Sequence, residues 1–148
     1  MATHAERRAL PYTPQQMFAL VADVERYPEF LPWCRAARIT RRDGDVLYAD
    51  LVIGFKMFRE RFSSKVTLDP PGKIYVDYIK GPMRHLNNHW RFETHEKGCL
   101  IDFYVDFEFR SAFFDRAIDL LFHEAARRMV SAFEARARVL YGRPTRAA

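Results

Sequence analysis

The sequence has few of the residues and segments that mark several common protein classes. It contains only two cysteines, Cys34 and Cys99, and they lack metal-type spacing, so buried thiols are expected instead of a disulfide framework or a metal site. No apolar run approaches the roughly 20 residues that a membrane-spanning helix needs, and the N-terminus lacks the apolar stretch of a secretory signal. We therefore expect a cytoplasmic protein that is not integral to a membrane.

What the sequence does contain fits one globular domain. Its 148 residues are 49% hydrophobic and 29% charged, so residues 1–148 should fold around one core, with a flexible tail at 143–148. The formal net charge of +5 favours anionic partners such as lipid headgroups or RNA. The arginines form no contiguous tract, so a solvated basic surface fits them better than specific DNA recognition.

The N-terminal part predicts a capped helix followed by a stiff turn. Thr13 is a suitable N-cap, Pro14 suits the first helical position, and Gln16 completes a capping box. The following segment, 23–34, is apolar, aromatic and interrupted by two prolines, so it allows at most a short second helix. We interpret it as a plug for one end of the fold.

The middle of the chain predicts an antiparallel meander. Turn residues recur at strand-length intervals, at Asp43-Gly44, Gly54, Pro70-Pro71-Gly72, Gly81-Pro82 and Lys97-Gly98. Between them, apolar residues alternate with polar ones at the period of a half-buried strand. One face of the sheet should therefore be apolar, and residues 3–10 should add an edge strand.

A long helix should close the chain, from an N-cap at Ser111 to Gly142. Its apolar stripe should lie against the concave face of the sheet. We therefore predict an α+β fold in which a curved antiparallel sheet of about six to seven strands wraps around a long C-terminal helix. One or two short helices should follow the first strand.

A wedge between sheet and helix is either packed solid or hollow enough to hold an apolar ligand. The aromatic faces would suit a flat or isoprenoid-like molecule, although the same rings could simply fill the core. Glu60, Ser64 and Asn88 lie in phase with the apolar faces. Asn88, Tyr78 and Trp90 could donate to carbonyl oxygens of a ligand head group, and Glu60 could accept from a hydroxyl or pair with an arginine. Internal hydrogen bonding or exposure near a strand end explains each polar residue equally well.

Nothing in the sequence requires catalysis. Asp102, Asp106 and Glu108 share the strand face opposite Phe103 and Val105, so they should point to solvent. The histidines show no metal-ligand spacing, the serines lie in no nucleophile elbow, and the glycines form no phosphate loop. We expect no catalytic residue, no metal and no required cofactor.

Four motifs carry a resemblance that covers nearly the whole chain. They are Val24-Glu-Arg-Tyr-Pro-Glu-Phe-Leu-Pro-Trp-Cys34; Val52-Ile-Gly-Phe-Lys56 with Arg59-Glu-Arg61; Gly81-Pro-Met-Arg-His-Leu-Asn87 with Trp90-Arg-Phe92; and Asp106-Phe-Glu-Phe-Arg110 with Arg127-Arg-Met-Val-Ser-Ala-Phe-Glu134. On these motifs the chain resembles the coenzyme Q-binding family of START-like, helix-grip domains, within the wider polyketide cyclase and lipid-transfer superfamily.

The resemblance implies a non-catalytic carrier that holds a polyisoprenoid quinone, with ubiquinone as bound ligand, in support of respiratory electron transfer. The same family name covers ribosome-association toxins, which would bind a ribosomal subunit through a basic surface. A cyclase or dehydratase is the third alternative. Peripheral contact with an anionic membrane, at the inner membrane surface, is also compatible with the basic composition.

Our working hypothesis places the quinone between the sheet and the last helix, with entry near the turn at 55–58, the loop at 81–85 and the start of that helix. The candidate cavity-lining residues are Phe30, Leu31, Trp33, Leu51, Ile53, Phe55, Phe58, Glu60, Phe62, Ser64, Tyr78, Asn88, Trp90, Phe92, Phe103, Val105, Phe114, Ile118, Leu121, Phe122, Ala125 and Met129. The candidate basic residues at the mouth are Lys56, Arg59, Arg61 and Arg84, for which a solvated rim is the other interpretation.

Overall fold

A computed structural model describes residues 2–55 and 58–142, apart from the side chains of Phe55, Phe58, Leu120, Leu121 and His123. The elements run in the order β1 (Ala2–Leu10), α1 (Pro14–Ala22), a 3-10 helix (Val24–Glu29), β2 (Cys34–Asp43), β3 (Val46–Phe55), β4 (Phe58–Asp69), β5 (Lys73–Lys80), β6 (Met83–His95), β7 (Gly98–Phe109) and α2 (Ala112–Tyr141). The predicted flexible tail lies outside the described residues.

The predicted start of the first helix is confirmed. The Gln16 backbone N–H donates to the Thr13 hydroxyl at 3.1 Å, and the Thr13 backbone N–H donates to the Gln16 side-chain oxygen at 3.0 Å. This reciprocal pair satisfies donors that the first helical turn cannot satisfy itself. The short second helix is the 3-10 helix, which contains Pro28.

The sheet has seven strands in the order β1-β7-β6-β5-β4-β3-β2, and all neighbouring strands are antiparallel. Strands β2 to β7 form the predicted meander. Strand β1 pairs with β7, so β1 and β2 are the two edge strands. The α+β prediction of a sheet wrapped around a C-terminal helix is therefore confirmed. Strand β2 is irregular, with register shifts between Cys34 and Ala36 and between Ile39 and Arg41.

The prediction that Gly54 ends a strand is wrong. Gly54 lies inside β3, where a Cβ atom would come within 2.8 Å of the Arg35 side chain. Gly81, in contrast, does form a turn. The φ angle of Gly81 is 149°, which favours glycine. A Cβ atom on residue 81 would also lie only 2.7 Å from the Cβ atom of Phe62.

Helix α2 begins and ends close to the predicted positions. The Ser111 hydroxyl accepts a hydrogen bond from the Phe114 N–H at 3.4 Å, and Gly142 follows the last turn with a φ of 76°. The buried residues of α2 recur at helical spacing, at Phe122, Ala126, Val130, Phe133 and Ala137. They join the apolar sheet face and α1 in one core. None of the described helices is long and apolar enough to cross a membrane.

Candidate ligand-binding cavity

The wedge between the sheet and α2 is hollow. It contains a cavity of about 280 Å³ whose walls come from β3 to β7, from α2 and from the segment that follows α1. The lining residues are mostly apolar: Val24, Tyr27, Leu31, Trp33, Cys34, Leu51, Ile53, Gly54, Glu60, Phe62, Ser64, Val66, Ile74, Val76, Met83, Leu86, Asn88, Trp90, Val105, Phe107, Phe109, Phe114, Ile118, Phe122, Ala125, Ala126, Met129 and Phe133.

Most of the predicted lining residues lie in this wall. They are Leu31, Trp33, Leu51, Ile53, Glu60, Phe62, Ser64, Asn88, Trp90, Val105, Phe114, Ile118, Phe122, Ala125 and Met129. The side chains of Phe55, Phe58 and Leu121, and the whole of Lys56, lie outside the described residues. The strand and helix periodicities thus identify the faces that enclose the cavity.

Two predicted residues, Phe92 and Phe103, fill the core beside the cavity instead of lining it. Phe103 is fully buried, and its ring centroid lies 4.5 Å from that of Trp90. Phe92 stacks on the other side of the same region, with its centroid 6.1 Å from Trp90 and 5.9 Å from Phe18 of α1. Because α1 covers this end of the sheet, the aromatic rings there interlock.

Two further predicted residues, Phe30 and Tyr78, also lie outside the wall. The Phe30 ring packs against Phe133 at 5.1 Å and lies 5.2 Å from the Arg136 guanidinium, so it faces α2 from outside the cavity. The Tyr78 hydroxyl accepts a hydrogen bond from the Met83 N–H at 3.1 Å. This bond braces the turn between β5 and β6, and Tyr78 does not line the cavity.

Several lining residues were missing from the prediction. Val66, Ile74, Val76, Leu86 and Phe107 were detectable, since each lies in phase with a predicted strand face. Ala126 and Phe133 belong to the apolar stripe of α2. Phe109 likewise continues the alternating face of β7. Val24 and Tyr27 belong to the 3-10 helix. Cys34 and Met83 begin strands, and Gly54 has an outward strand position, where periodicity gives no signal.

The segment 23–34 closes one end of the cavity, as its composition suggested. Tyr27 lines the wall, its hydroxyl donates to the Val21 carbonyl, and burial raises the pKa of this phenol. On the outer side, Glu29 accepts hydrogen bonds from Arg26 at 2.9 Å and from Arg136 of α2 at 2.8 Å. These two guanidinium groups hold the pKa of Glu29 below its ordinary value. The segment is thereby attached to the terminal helix.

The opposite end lies beside the predicted entrance. Phe62, Met83 and Phe109 form a small buried cluster there, packed against Phe114 at the start of α2. The Asp115 carboxylate accepts a hydrogen bond from the Phe109 N–H at 3.1 Å and so joins the first turn of α2 to the end of β7.

Of the predicted basic residues at the entrance, Arg59, Arg61 and Arg84 are exposed. The Nε atom of Arg84 lies 3.8 Å from the Oε1 atom of Glu108. Arg59 and Arg61 lie on the outer face of β4, because Glu60 and Phe62 between and beside them line the cavity. The three arginines are therefore exposed on the surface and do not line the cavity.

Polar groups are sparse in the cavity wall. The Asn88 amide donates to the Tyr104 carbonyl at 2.8 Å, and the half-buried Glu60 lies opposite Ile53. The Cys34 thiol donates to the Ala36 carbonyl at 3.6 Å, and burial raises its pKa to about 11. At neutral pH this thiol is protonated and is therefore a poor nucleophile.

The expectation that Asp106 points to solvent is wrong. Only 8% of Asp106 is exposed, and its carboxylate lies 3.0 Å from the His85 Nε2 atom and 3.4 Å from the Asn87 amide nitrogen. It belongs to the face of β7 opposite the cavity-lining Val105 and Phe107. Asp106 is thus buried among polar neighbours away from the cavity. Among the described residues, no cluster of histidine, cysteine, aspartate or glutamate side chains is suited to hold a metal ion.

Comparison with known families gives one match that covers most of the chain. Residues 10–134 match the family described as polyketide cyclase / dehydrase and lipid transport. The matched region contains both ends of the cavity and the greater part of α2.

Two curated relatives differ in name. The chain is similar to the ribosome association toxin RatA of Pseudomonas aeruginosa, with 37% identity over 144 residues, 96% of this chain and 100% of that protein. It is also similar to the mitochondrial coenzyme Q-binding protein COQ10 homolog B of Xenopus laevis, with 33% identity over 145 residues, 95% of this chain and 59% of that protein.

A solved structure with comparable identity has the same fold. The 18 kDa protein CC1736 of Caulobacter crescentus, determined in solution, is 38% identical and superposes with a TM-score of 0.79. The match covers 97% of this chain and 100% of that one. The resemblance to START-like domains that the four motifs carry is confirmed by these findings together.

Proposed function

Because the chain belongs to the polyketide cyclase / dehydrase and lipid transport family, we propose that it binds a polyisoprenoid quinone or a similar apolar lipid and acts as its carrier. The observation that carries this proposal is the hollow apolar cavity between the sheet and α2. The ligand is held without chemical conversion, and no further cofactor is required. Coenzyme Q is the ligand that the name of the Xenopus laevis relative supports.

The physical character of the cavity favours an apolar ligand. Burial of apolar surface contributes roughly 25 cal/mol per Å², so contacts along a wall of leucine, isoleucine, valine and phenylalanine side chains would supply most of the affinity. The volume of about 280 Å³ is close to the lower end of the roughly 300–1,000 Å³ usual for small-molecule sites. It suits a head group and the first prenyl units, with a longer tail leaving through the entrance.

The same wall argues against the cyclase alternative. Acid–base chemistry usually needs a positioned proton donor and acceptor close to the reacting atoms. Among the described residues, Glu60 is the one carboxylate in the wall, and the wall contains no histidine. A binding role therefore fits the cavity better than catalysis.

The exposed basic residues suggest how the carrier would meet its lipid. Arg59, Arg61 and Arg84 are exposed, and anionic headgroups attract such side chains. We propose transient contact of this end with the inner surface of an anionic membrane, from the cytoplasmic side. The quinone would then enter between β4 and the start of α2.

Recovery of the ligand tests the proposal directly. Protein purified from a quinone-producing host and extracted with organic solvent should yield a polyisoprenoid quinone in an amount approaching one molecule per chain, measured by mass spectrometry. A matched purification of an unrelated basic protein of similar size controls for carry-over from membranes. An extract with no more quinone than this control would count decisively against the carrier proposal.

Association with a ribosomal subunit is the second candidate function. It is favoured by the similarity to RatA of Pseudomonas aeruginosa over the whole length of that protein. A basic strip on the outer sheet face offers a surface for it: Arg35 lies over Gly54, which is paired with Arg59, and Arg61 follows on β4. Phosphate groups of RNA would bind such a strip through salt-sensitive contacts.

Sedimentation distinguishes the two functions. If the basic strip binds a ribosomal subunit, the protein should cosediment with it at low salt, and the double substitution Arg59→Glu and Arg61→Glu should remove most of the bound fraction. The paired substitution Arg127→Glu and Arg128→Glu on α2 is the matched charge control. Equal loss of sedimentation for both pairs would indicate a general charge effect, and sedimentation that the Arg59 and Arg61 pair leaves unchanged would eliminate binding through the basic strip.

A further inference from the structure

One hydroxyl in the cavity wall lacks a partner. Ser64 lies on β4 between Phe62 and Val66, which also line the cavity, and none of its surface is exposed. Among the buried side-chain nitrogen and oxygen atoms of the described residues, its Oγ is the one without a hydrogen-bond partner. Buried polar atoms in native proteins nearly always have partners, so this exception needs a physical reason.

The local backbone supports a specific placement of this hydroxyl. Ser64 pairs with Ala49 of β3 and with Tyr78 of β5, and the register between β4 and β5 shifts between Ser63 and Ser64. Irregularities of this kind change the direction of a side chain and are common beside functional sites. The shift occurs at the strand position that carries the unpartnered hydroxyl.

The other hydroxyl and thiol donors of the wall are already engaged, and the Asn88 amide uses one of its two N–H groups. The Tyr27 hydroxyl donates to the Val21 carbonyl, the Cys34 thiol to the Ala36 carbonyl, and the Asn88 amide to the Tyr104 carbonyl. The Glu60 carboxylate, when ionised, can only accept hydrogen bonds. Ser64 is therefore the hydroxyl of the wall whose proton is available to a ligand.

We propose that Ser64 determines which apolar molecules the cavity prefers, by donating a hydrogen bond to an oxygen atom of the ligand. This inference rests on the proposed lipid-binding function and specifies its substrate class. The ligand carries a carbonyl or comparable acceptor oxygen at the depth of Ser64, with apolar groups on both sides against Phe62 and Val66. A quinone ring meets this requirement, and a pure hydrocarbon of the same size does not.

The test compares two ligands with two serine variants. Short-chain decylubiquinone and decylbenzene share an alkyl tail, but only the first has acceptor oxygens. Ser64→Ala should weaken decylubiquinone binding by about fivefold, as expected for loss of one neutral hydrogen bond, and should leave decylbenzene binding unchanged. Dissociation constants can be measured by quenching of tryptophan fluorescence, since Trp33 and Trp90 line the cavity.

Stability gives a second readout that separates ligand recognition from a structural role. Removal of an unpartnered buried hydroxyl should raise the melting temperature of ligand-free Ser64→Ala by a few degrees. The neighbouring Ser63 is the matched control, because its hydroxyl donates to the Asp50 carboxylate at 2.5 Å. Ser63→Ala should lower the melting temperature and leave the affinity for both ligands unchanged.

Different failures have different meanings. If wild-type protein binds decylubiquinone and Ser64→Ala binds it equally well, the role of Ser64 is overturned and the carrier function stands. Equal weakening of both ligands, or a lower melting temperature for Ser64→Ala, would also overturn it, because either result indicates a structural hydroxyl. If wild-type protein binds neither ligand, the proposed function fails and this inference fails with it.

Discussion

Replacing Phe133 with alanine is expected to lower the free energy of unfolding by about 3–5 kcal/mol. Phe133 is 1% exposed, and its ring centroid lies 5.4 Å from Tyr27, 5.1 Å from Phe30 and 5.1 Å from Trp90. It therefore joins α2, the closing segment and the sheet. The substitution removes all three ring contacts and leaves a void that this crowded aromatic cluster cannot close.

Phe113 provides the matched control on the same helix. It is 71% exposed, so Phe113→Ala should change the free energy of unfolding by no more than about 0.5 kcal/mol. Urea denaturation followed by tryptophan fluorescence measures both variants, with the wild-type slope as a check for two-state unfolding. Equal midpoints for the two variants would show that Phe133 does not hold the closing segment in place.

Replacing Ala125 with tryptophan is expected to weaken quinone binding by at least tenfold. Ala125 faces the cavity from the middle of α2, between Phe122 and Met129, which also line it. An indole at this position would occupy volume that the ligand needs, and a cavity of about 280 Å³ has little to spare. A ligand forced into the remaining space would meet the overpacking penalty of roughly 1–3 kcal/mol.

The control for this substitution is Ala135→Trp, at an exposed position of α2. It adds the same side chain to the same helix and should leave the dissociation constant of decylubiquinone unchanged, as measured by isothermal titration calorimetry. Circular dichroism should show wild-type helix content for both variants. Undiminished binding by Ala125→Trp would mean that the quinone lies elsewhere on the protein.

The two candidate functions use different parts of the protein. The cavity lies inside the domain, whereas the basic strip of Arg35, Arg59 and Arg61 lies on the outer face of the sheet. The two surfaces share strands β3 and β4 but use opposite side-chain directions. The two proposed functions therefore use separate surfaces.

Local signals in the sequence were sufficient to predict the elements. Thr13 and Gln16 form the expected capping box, and Ser111 caps α2 as its position indicates. Gly54 was misleading because glycine has two uses in strands. It can end a strand, or it can provide room for a neighbouring side chain, which here is Arg35.

The volume of the cavity could not be predicted from the sequence. Phe62 and Phe103 are both aromatic residues in phase on a concave strand face, yet Phe62 lines the cavity and Phe103 fills the core. The difference depends on where α1 and α2 cross the sheet, and the sequence of a single strand does not determine those positions. Asp106 was misplaced for a similar reason, because its burial depends on His85 of the neighbouring strand.

The irregular edge strand β2 has a consequence for self-association. An unpaired sheet edge invites a strand from another molecule to extend the ladder. Here the outermost strand is interrupted twice and carries exposed Arg35, Arg38, Arg41 and Arg42. A second copy approaching this edge would meet like charges and an irregular ladder, so addition of a strand to β2 is disfavoured.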